Sequence, residues 1–138
     1  MKNITLQFLT KTNACSDAVA WGKKQGLIGK PARTVLNALI KADKLEWANW
    51  LIVRVLPYKG CVSYAVYAAE QVIDIYEKKY PNDKRPREAI EAAKKCIKSP
   101  TAKNKKDAYA AAYADAYAAD ARKEMKLKIL KYGLTLLT

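Results

Sequence analysis

The stretch Asp43–Leu56, Asp-Lys-Leu-Glu-Trp-Ala-Asn-Trp-Leu-Ile-Val-Arg-Val-Leu, decides the fold class of this chain. It is apolar on nearly every side, and a helix that is hydrophobic all round belongs in the middle of a domain. Asp43 and Glu46 have the spacing of a capping box, which predicts a helix start here, and Pro57 predicts its end. We therefore predict a central helix over these residues.

The central helix carries two of the three tryptophans of the chain. Trp47, Trp50 and Leu51 have the spacing of one helical face. We expect these three side chains to lie in the core, where each large side chain contributes several kcal/mol, on the order of 3 to 5.

Hydrophobic residues recur with helical spacing along the rest of the chain, and no strand pattern is present. Asn13 is a predicted N-cap, and Gly26 is a predicted residue just past a helix end. The predicted helices cover residues 4–11 (a short helix or turn), 14–25, 31–42, 43–56, 61–79, 87–98 and about 106–137. We predict an all-α fold, a single compact bundle of about six or seven helices in one domain, residues 1–138, closed by a long Ala/Tyr-rich last helix.

Composition argues against most enzyme and metal chemistry. The chain has no histidine, and its three cysteines are far apart, which removes His-dependent nucleophiles and the usual zinc sites. The single acids Asp17, Asp115 and Asp120 have no spacing that would pair a general acid with a general base, and no glycine-rich phosphate loop is present. We therefore predict a non-catalytic protein without cofactor or metal.

Charge and hydropathy indicate where the protein works and what it meets. Lys and Arg number 26 against 13 Asp and Glu, for a net charge of +13, which implies either an acidic partner or simple colloidal solubility. Lys or Arg interrupts every apolar run before it reaches the ~20 residues of a membrane span, and the N-terminal apolar block is too short for a secretory signal. We predict a cytoplasmic protein.

A basic run without acids crosses the end of the predicted helix 87–98 and the loop after it. Its cations could only complement the dipole at the helix C-terminus, or they could form a phosphate-binding patch. Two further lysines, Lys123 and Lys126, lie in the predicted last helix. The anion-binding or partner-binding candidates of the run are Lys94, Lys95, Lys98, Lys103, Lys105 and Lys106.

Arg85-Pro86-Arg87 opens a predicted helix, although a helix N-terminus favours anions. Either arginine could turn back to a carboxylate of another helix, Asp74 or Glu70, with Asp83 helping to cap the helix. Both arginines could instead clamp a phosphate of a ligand.

Tyr109, Tyr113 and Tyr117 recur every fourth residue in an alanine-rich stretch and so share one helical face. They could act as stacking platforms for bases or a nucleotide. We favour the alternative that the rings lie in the core with their hydroxyls at its edge.

Several of these motifs together resemble a known family. The order runs from Ala14-Cys15 with Asp17-Ala18-Val19 and Trp21, through Trp47 and Trp50-Leu51, to Arg85-Pro86-Arg87 with the Ala/Tyr run that closes in Ala121-Arg122. It resembles the small helical family labelled "putative immunity protein" of bacterial toxin-immunity loci and phage genomes, over about residues 8–137. The resemblance implies an all-α fold and a binding role.

Three functional hypotheses follow. The leading one is an immunity or counter-defence protein of a phage or mobile element that neutralises a toxin or defence component by binding it in the host bacterial cytoplasm. A net charge of +13 suits an acidic protein target and makes a poor mimic of nucleic acid. The alternatives are a protein that binds nucleic acid or a signalling nucleotide through its basic patches, and a phage structural or assembly accessory.

Overall fold

The computed structural model describes residues 2–98 and 123–137, with only the backbone for 123 and 124. The described residues form helices joined by short turns, with one isolated antiparallel bridge between Asn3 and Pro31 and no β-strand. The all-α prediction is confirmed. The helices are α1 (Leu6–Lys11), α2 (Ser16–Lys24), α3 (Ala32–Lys41), α4 (Leu45–Val55), α5 (Tyr58–Lys79), α6 (Arg85–Lys98) and α7 (Lys123–Thr135).

The last helix differs from its prediction at the end that the structure describes. Helix α7 ends at Thr135 rather than at 137, and it passes through the buried Gly133. The first part of the predicted helix, residues 106–122, lies outside the described residues.

The chain divides into two compact units. Unit 1 comprises residues 1–55 and 137–138, and unit 2 comprises residues 56–136. The prediction that residues 1–138 form one domain stays a prediction.

Three helices of unit 1 end in the same type of turn. At the end of α3, Asp43 has a left-handed φ of 61°, and the backbone N–H groups of Asp43 and Lys44 donate to the carbonyls of Ile40 (3.1 Å) and Leu39 (2.8 Å). This is a Schellman motif, with Asp43 just past the helix end. Gly26 ends α2 in the same way, as predicted, and Asn13 ends α1.

This geometry corrects two predicted helix starts. Asn13 and Asp43 were expected to be N-caps, but both belong to the end of the preceding helix, and the next helices begin at Ser16 and Leu45. The ambiguity has a physical source, because a short polar side chain suits both an N-cap and the left-handed conformation. The sequence pattern alone does not distinguish the two positions.

The core of unit 1 lies between α3 and α4. Leu51 is buried, whereas Trp47 and Trp50 are half-buried at the border of the buried face. The Trp47 ring meets the edge of the Trp21 ring at a centroid distance of 6.1 Å. The buried residues of the two helices are Ala32, Val35, Leu36 and Leu39 from α3, and Leu45, Ala48, Leu51 and Ile52 from α4.

The core of unit 2 is built on α5, which begins at Tyr58, directly after Pro57. One stripe of α5 packs on α6 through Val62, Val66, Ala69 and Ile73 against Ile90, Ala93 and Cys96. The Tyr58 hydroxyl meets the fully buried Cys96 thiol. Helix α7 also packs on α5, where the Tyr67 and Tyr132 rings stack at 4.1 Å with 15° between their planes. Helices α5 and α6 thus form a hairpin, with the turn at residues 80–84.

Candidate functional site

Asp83 in the turn of the hairpin organises the start of α6. Its Oδ1 accepts from the backbone N–H of Arg85 at 3.1 Å, the capping role that the sequence predicts for Asp83. The Arg85 guanidinium also donates to both carboxylate oxygens, at 2.9 and 2.7 Å. The Tyr76 hydroxyl of α5 donates to Oδ2 at 2.6 Å, which ties the turn back to the preceding helix.

Arg87, the second arginine of the motif, reaches across the hairpin to α5. Its guanidinium donates to both carboxylate oxygens of Glu77, and its Nη2 lies 3.8 Å from a carboxylate oxygen of Asp74. The ion pair with Asp74 confirms one of the two predicted partners. Glu77, which was not predicted, makes the closer contact. These pairs bring negative charge to a helix start that two arginines would otherwise disfavour.

The hydrogen bonds and ion pairs of this network shift the pKa values of its groups. The Arg85 guanidinium, followed by the Tyr76 hydroxyl, holds the pKa of Asp83 well below its usual range. The Arg87 guanidinium likewise lowers the pKa of Glu77. The hydrogen bond to Asp83 raises the pKa of Tyr76, because it stabilises the protonated hydroxyl that donates it. Both arginines therefore already face ionised carboxylates of the same unit.

The basic run starts on the last two turns of α6. Lys94 Nζ lies 3.7 Å from a carboxylate oxygen of Glu91 and 4.0 Å from one of Glu70. Lys95 and Lys98 are exposed in the last turn. Arg87 and Lys94 thus lie along the hairpin seam, whereas Lys95 and Lys98 face solvent.

The other candidates lie outside this hairpin. Lys126 is half-buried in α7, and for Lys123 the structure describes only the backbone within that helix. The core candidates Trp47, Trp50 and Leu51 belong to unit 1. The remaining candidates fall outside the described residues: Lys103, Lys105, Lys106, Tyr109, Tyr113 and Tyr117.

The C-terminal end of α5 holds exposed apolar residues that the sequence analysis did not single out. Ile75 is 64% exposed and Tyr80 is 47% exposed. Lys79 Nζ lies 5.6 Å from the centroid of the Tyr80 ring, whose other neighbour is the Tyr76 ring at 5.0 Å. The available signal was an isoleucine outside the apolar stripe of the helix, followed by Lys78-Lys79-Tyr80.

The described part of the chain contains no group of three Cys, Asp or Glu side chains that could hold a metal ion. None of the helices it contains is long and apolar enough to cross a membrane.

Comparison with known proteins adds a family to this geometry. The model of the family described as "Imm-5 like putative immunity protein" matches residues 54–127. The match includes all of α5 and α6, so it contains the Arg85-Pro86-Arg87 motif and its carboxylate partners. The matched range is shorter than the range of the resemblance, about residues 8–137. The motifs in unit 1 lie before residue 54, and the match ends at residue 127. No curated protein and no solved structure matches the chain.

Proposed function

Because the chain belongs to the Imm-5 like putative immunity protein family, we propose that it neutralises a toxin or host-defence component by binding it, without catalysis. The family match over the α5–α6 hairpin is the observation that carries this proposal. We further propose that the protein acts in the bacterial cytoplasm and is encoded by a phage or another mobile element.

The construction of the hairpin supports a role as a preformed binding element. Its core is closed by Val62, Val66, Ile73 and Ile90, and its turn is held by the hydrogen bonds of Asp83. A surface that is already ordered loses less conformational entropy when a partner binds. The hairpin is therefore suited to present a fixed surface to a protein.

The charge of the chain supports an acidic partner. A net charge of +13 speeds encounter with a negatively charged surface and disfavours partners of like charge. Arg85 and Arg87 are engaged with carboxylates of unit 2, so recognition through charge falls to exposed lysines such as Lys95 and Lys98.

The test is affinity capture with the tagged full-length chain from a bacterial lysate, run with and without nuclease. We expect one acidic protein to remain bound after nuclease treatment and then to form a defined complex with the purified chain. An Ile90→Asn bait is the matched control, because it keeps the net charge while disrupting the core under the hairpin. Capture that needs only charge would survive in this control and would contradict the proposal.

Nucleic acid is the competing ligand, since exposed lysines also suit phosphates. If it were the ligand, nuclease would remove every partner, and the affinity for duplex DNA would fall steeply with salt, with a slope of about 0.9 per phosphate neutralised. That result would replace the immunity proposal by a nucleic-acid-binding function.

A further inference from the structure

We propose that the C-terminal end of α5 is the docking surface for the partner, and that the partner presents an acidic protein segment with apolar side chains to it. We call this the α5-end surface and define it by Ile75, Lys78, Lys79 and Tyr80. The inference rests on the proposed function and names the part of the chain that would perform it.

The first argument is the exposure of apolar groups on an ordered helix. Ile75 is 64% exposed, although it lies well inside a helix of 22 residues whose other side is buried against α6. Tyr80, one residue past the helix, is 47% exposed. Ile75 shares a helix face with Lys78 and Lys79, three and four residues further on, and Lys79 in turn lies near the Tyr80 ring. Exposed aliphatic and aromatic groups of this kind offer the apolar contacts that a protein interface needs.

The second argument is the charge that remains after internal pairing. The carboxylates near the α5-end surface belong to Asp74, Glu77 and Asp83, and each of them contacts Arg85 or Arg87. Within the described residues, neither Lys78 nor Lys79 forms an ion pair with a carboxylate. Among the described residues, the exposed apolar groups of the α5-end surface are therefore next to two lysines without a carboxylate partner. A partner with carboxylates around an apolar side chain would complement both features.

The third argument is that neighbouring side chains fix the position of Tyr80. The Tyr76 ring packs beside Tyr80 at 5.0 Å, and the Tyr76 hydroxyl is fixed by its 2.6 Å hydrogen bond to Asp83. The Asp83 carboxylate is held in turn by Arg85. The network around Asp83 thus supports the Tyr80 side of the surface, which lowers the entropic cost of docking.

The same observations favour a protein segment over nucleic acid. Contact with a phosphate backbone would not bury the Ile75 side chain against apolar groups. Contact with an apolar side chain of a protein partner would, and this burial is favourable. The Tyr80 ring already has an ammonium group on one side and a second ring nearby, which reduces the area for stacking a base.

The test uses defined probes and charge-matched variants of the full-length chain. The probes are a fluorescent random copolymer of glutamate and tyrosine, polyglutamate of the same length, and a duplex DNA. Lys78→Glu/Lys79→Glu is compared with Lys23→Glu/Lys24→Glu, because each pair lies in the last turn of its helix and each double substitution changes the net charge equally. Ile75→Ser is compared with Leu6→Ser, which alters an exposed leucine of α1.

We expect the copolymer to bind more tightly than polyglutamate at physiological salt. Lys78→Glu/Lys79→Glu should weaken copolymer binding about tenfold more than Lys23→Glu/Lys24→Glu, as for charges and anchors at the centre of an interface. Ile75→Ser should remove most of the preference for the copolymer, while Leu6→Ser should leave it unchanged. Circular dichroism should show that all four variants keep their helix content.

Two results would overturn the proposal. Equal losses for the two lysine pairs would mean that only overall charge matters, and tighter DNA binding that depends on Lys78 and Lys79 would make the surface a phosphate site. The proposed function is judged separately: a partner captured after nuclease treatment and still retained by Lys78→Glu/Lys79→Glu would leave that function intact and would remove only this surface.

Discussion

The Lys and Arg side chains of the two units have different kinds of partner. In unit 1, Lys2, Lys44 and Arg54 lie over the rings of Phe8, Trp47 and Trp50, at 5.0, 5.0 and 3.9 Å from the ring centroids. In unit 2, Arg85, Arg87 and Lys94 face carboxylates. Lys79, which also belongs to unit 2, instead lies over the Tyr80 ring and is part of the proposed docking surface.

The difference follows from the supply of acids in each unit. Unit 1 is strongly basic, and its only acidic residues are Asp17, Asp43 and Glu46. A cation over an aromatic face gains an electrostatic contact without a carboxylate, and tryptophan is the best acceptor. Unit 2 has carboxylates on α5 and in the turn after it, so Arg87 and Arg85 form ion pairs instead. In a chain with a large excess of positive charge, aromatic rings thus take the place of missing anions.

The largest expected effects test whether the two units unfold together. Leu36→Ala in unit 1 and Ile90→Ala in unit 2 remove side chains that are 0% and 2% exposed, and each should cost about 2–5 kcal/mol of unfolding free energy. If the chain is one domain, as predicted, both variants lower the midpoint of the same single transition in denaturant titrations. Two separate transitions, each sensitive to one variant, would refute the single domain.

The next effect concerns the turns that end the helices of unit 1. Gly26 has a φ of 69°, so Gly26→Ala forces an L-residue into the left-handed region and should cost about 1–2 kcal/mol. Thermal unfolding monitored by circular dichroism measures the change. A stabilising Gly26→Ala would contradict the assigned turn.

A pH-dependent effect is expected for the carboxylates of unit 2. The pKa values of Asp83 and Glu77 are lowered in the folded chain by Arg85 and Arg87, so their contribution is fully present above the ordinary carboxyl pKa of about 4. It is lost as the pH falls from there through the lowered pKa values. Asp83→Asn should therefore lower Tm at pH 7, and the gap to the parent chain should close in acid.

Glu88→Gln serves as the control for that experiment, because Glu88 is exposed on α6 and outside the Asp83 network. It should produce a smaller difference at pH 7. A gap between Asp83→Asn and the parent chain that persists unchanged at pH 2 would show that the ionised carboxylate is not what stabilises the turn.

The smallest expected effect breaks a cation–ring contact of unit 1. Arg54 lies over Trp50 and also donates to the Trp50 carbonyl at 2.8 Å. Arg54→Gln should cost about 0.5–1 kcal/mol, the range for exposed cation–π pairs. Trp50 fluorescence should change in the same variant. An unchanged spectrum would show that the guanidinium does not rest on the ring.

The helices could be read from the sequence, but the roles of their boundary residues could not. The helical spacing of apolar residues and the positions of the prolines predicted the bounds of α2 to α6 within a few residues, since both signals act locally. Asn13 and Asp43 were assigned to the wrong helix because their side chains suit either end. One of Arg85 and Arg87 was expected to pair with a carboxylate of another helix, and Arg87 does so. Its closer partner Glu77 became visible only when α5 and α6 lay side by side.

The sequence by itself determined an all-α fold, a strongly basic chain and a family, because periodicity, composition and motif order are properties of the linear chain. The tertiary structure decided which charges are cancelled and which remain. Arg87, a candidate for ligand binding, meets the carboxylates of Asp74 and Glu77 only because the hairpin places α6 beside α5. The sequence did not distinguish Ile75 from the other apolar residues of α5, and only the packing of α5 shows that it is exposed. Both outcomes depend on distances between residues that only folding brings together.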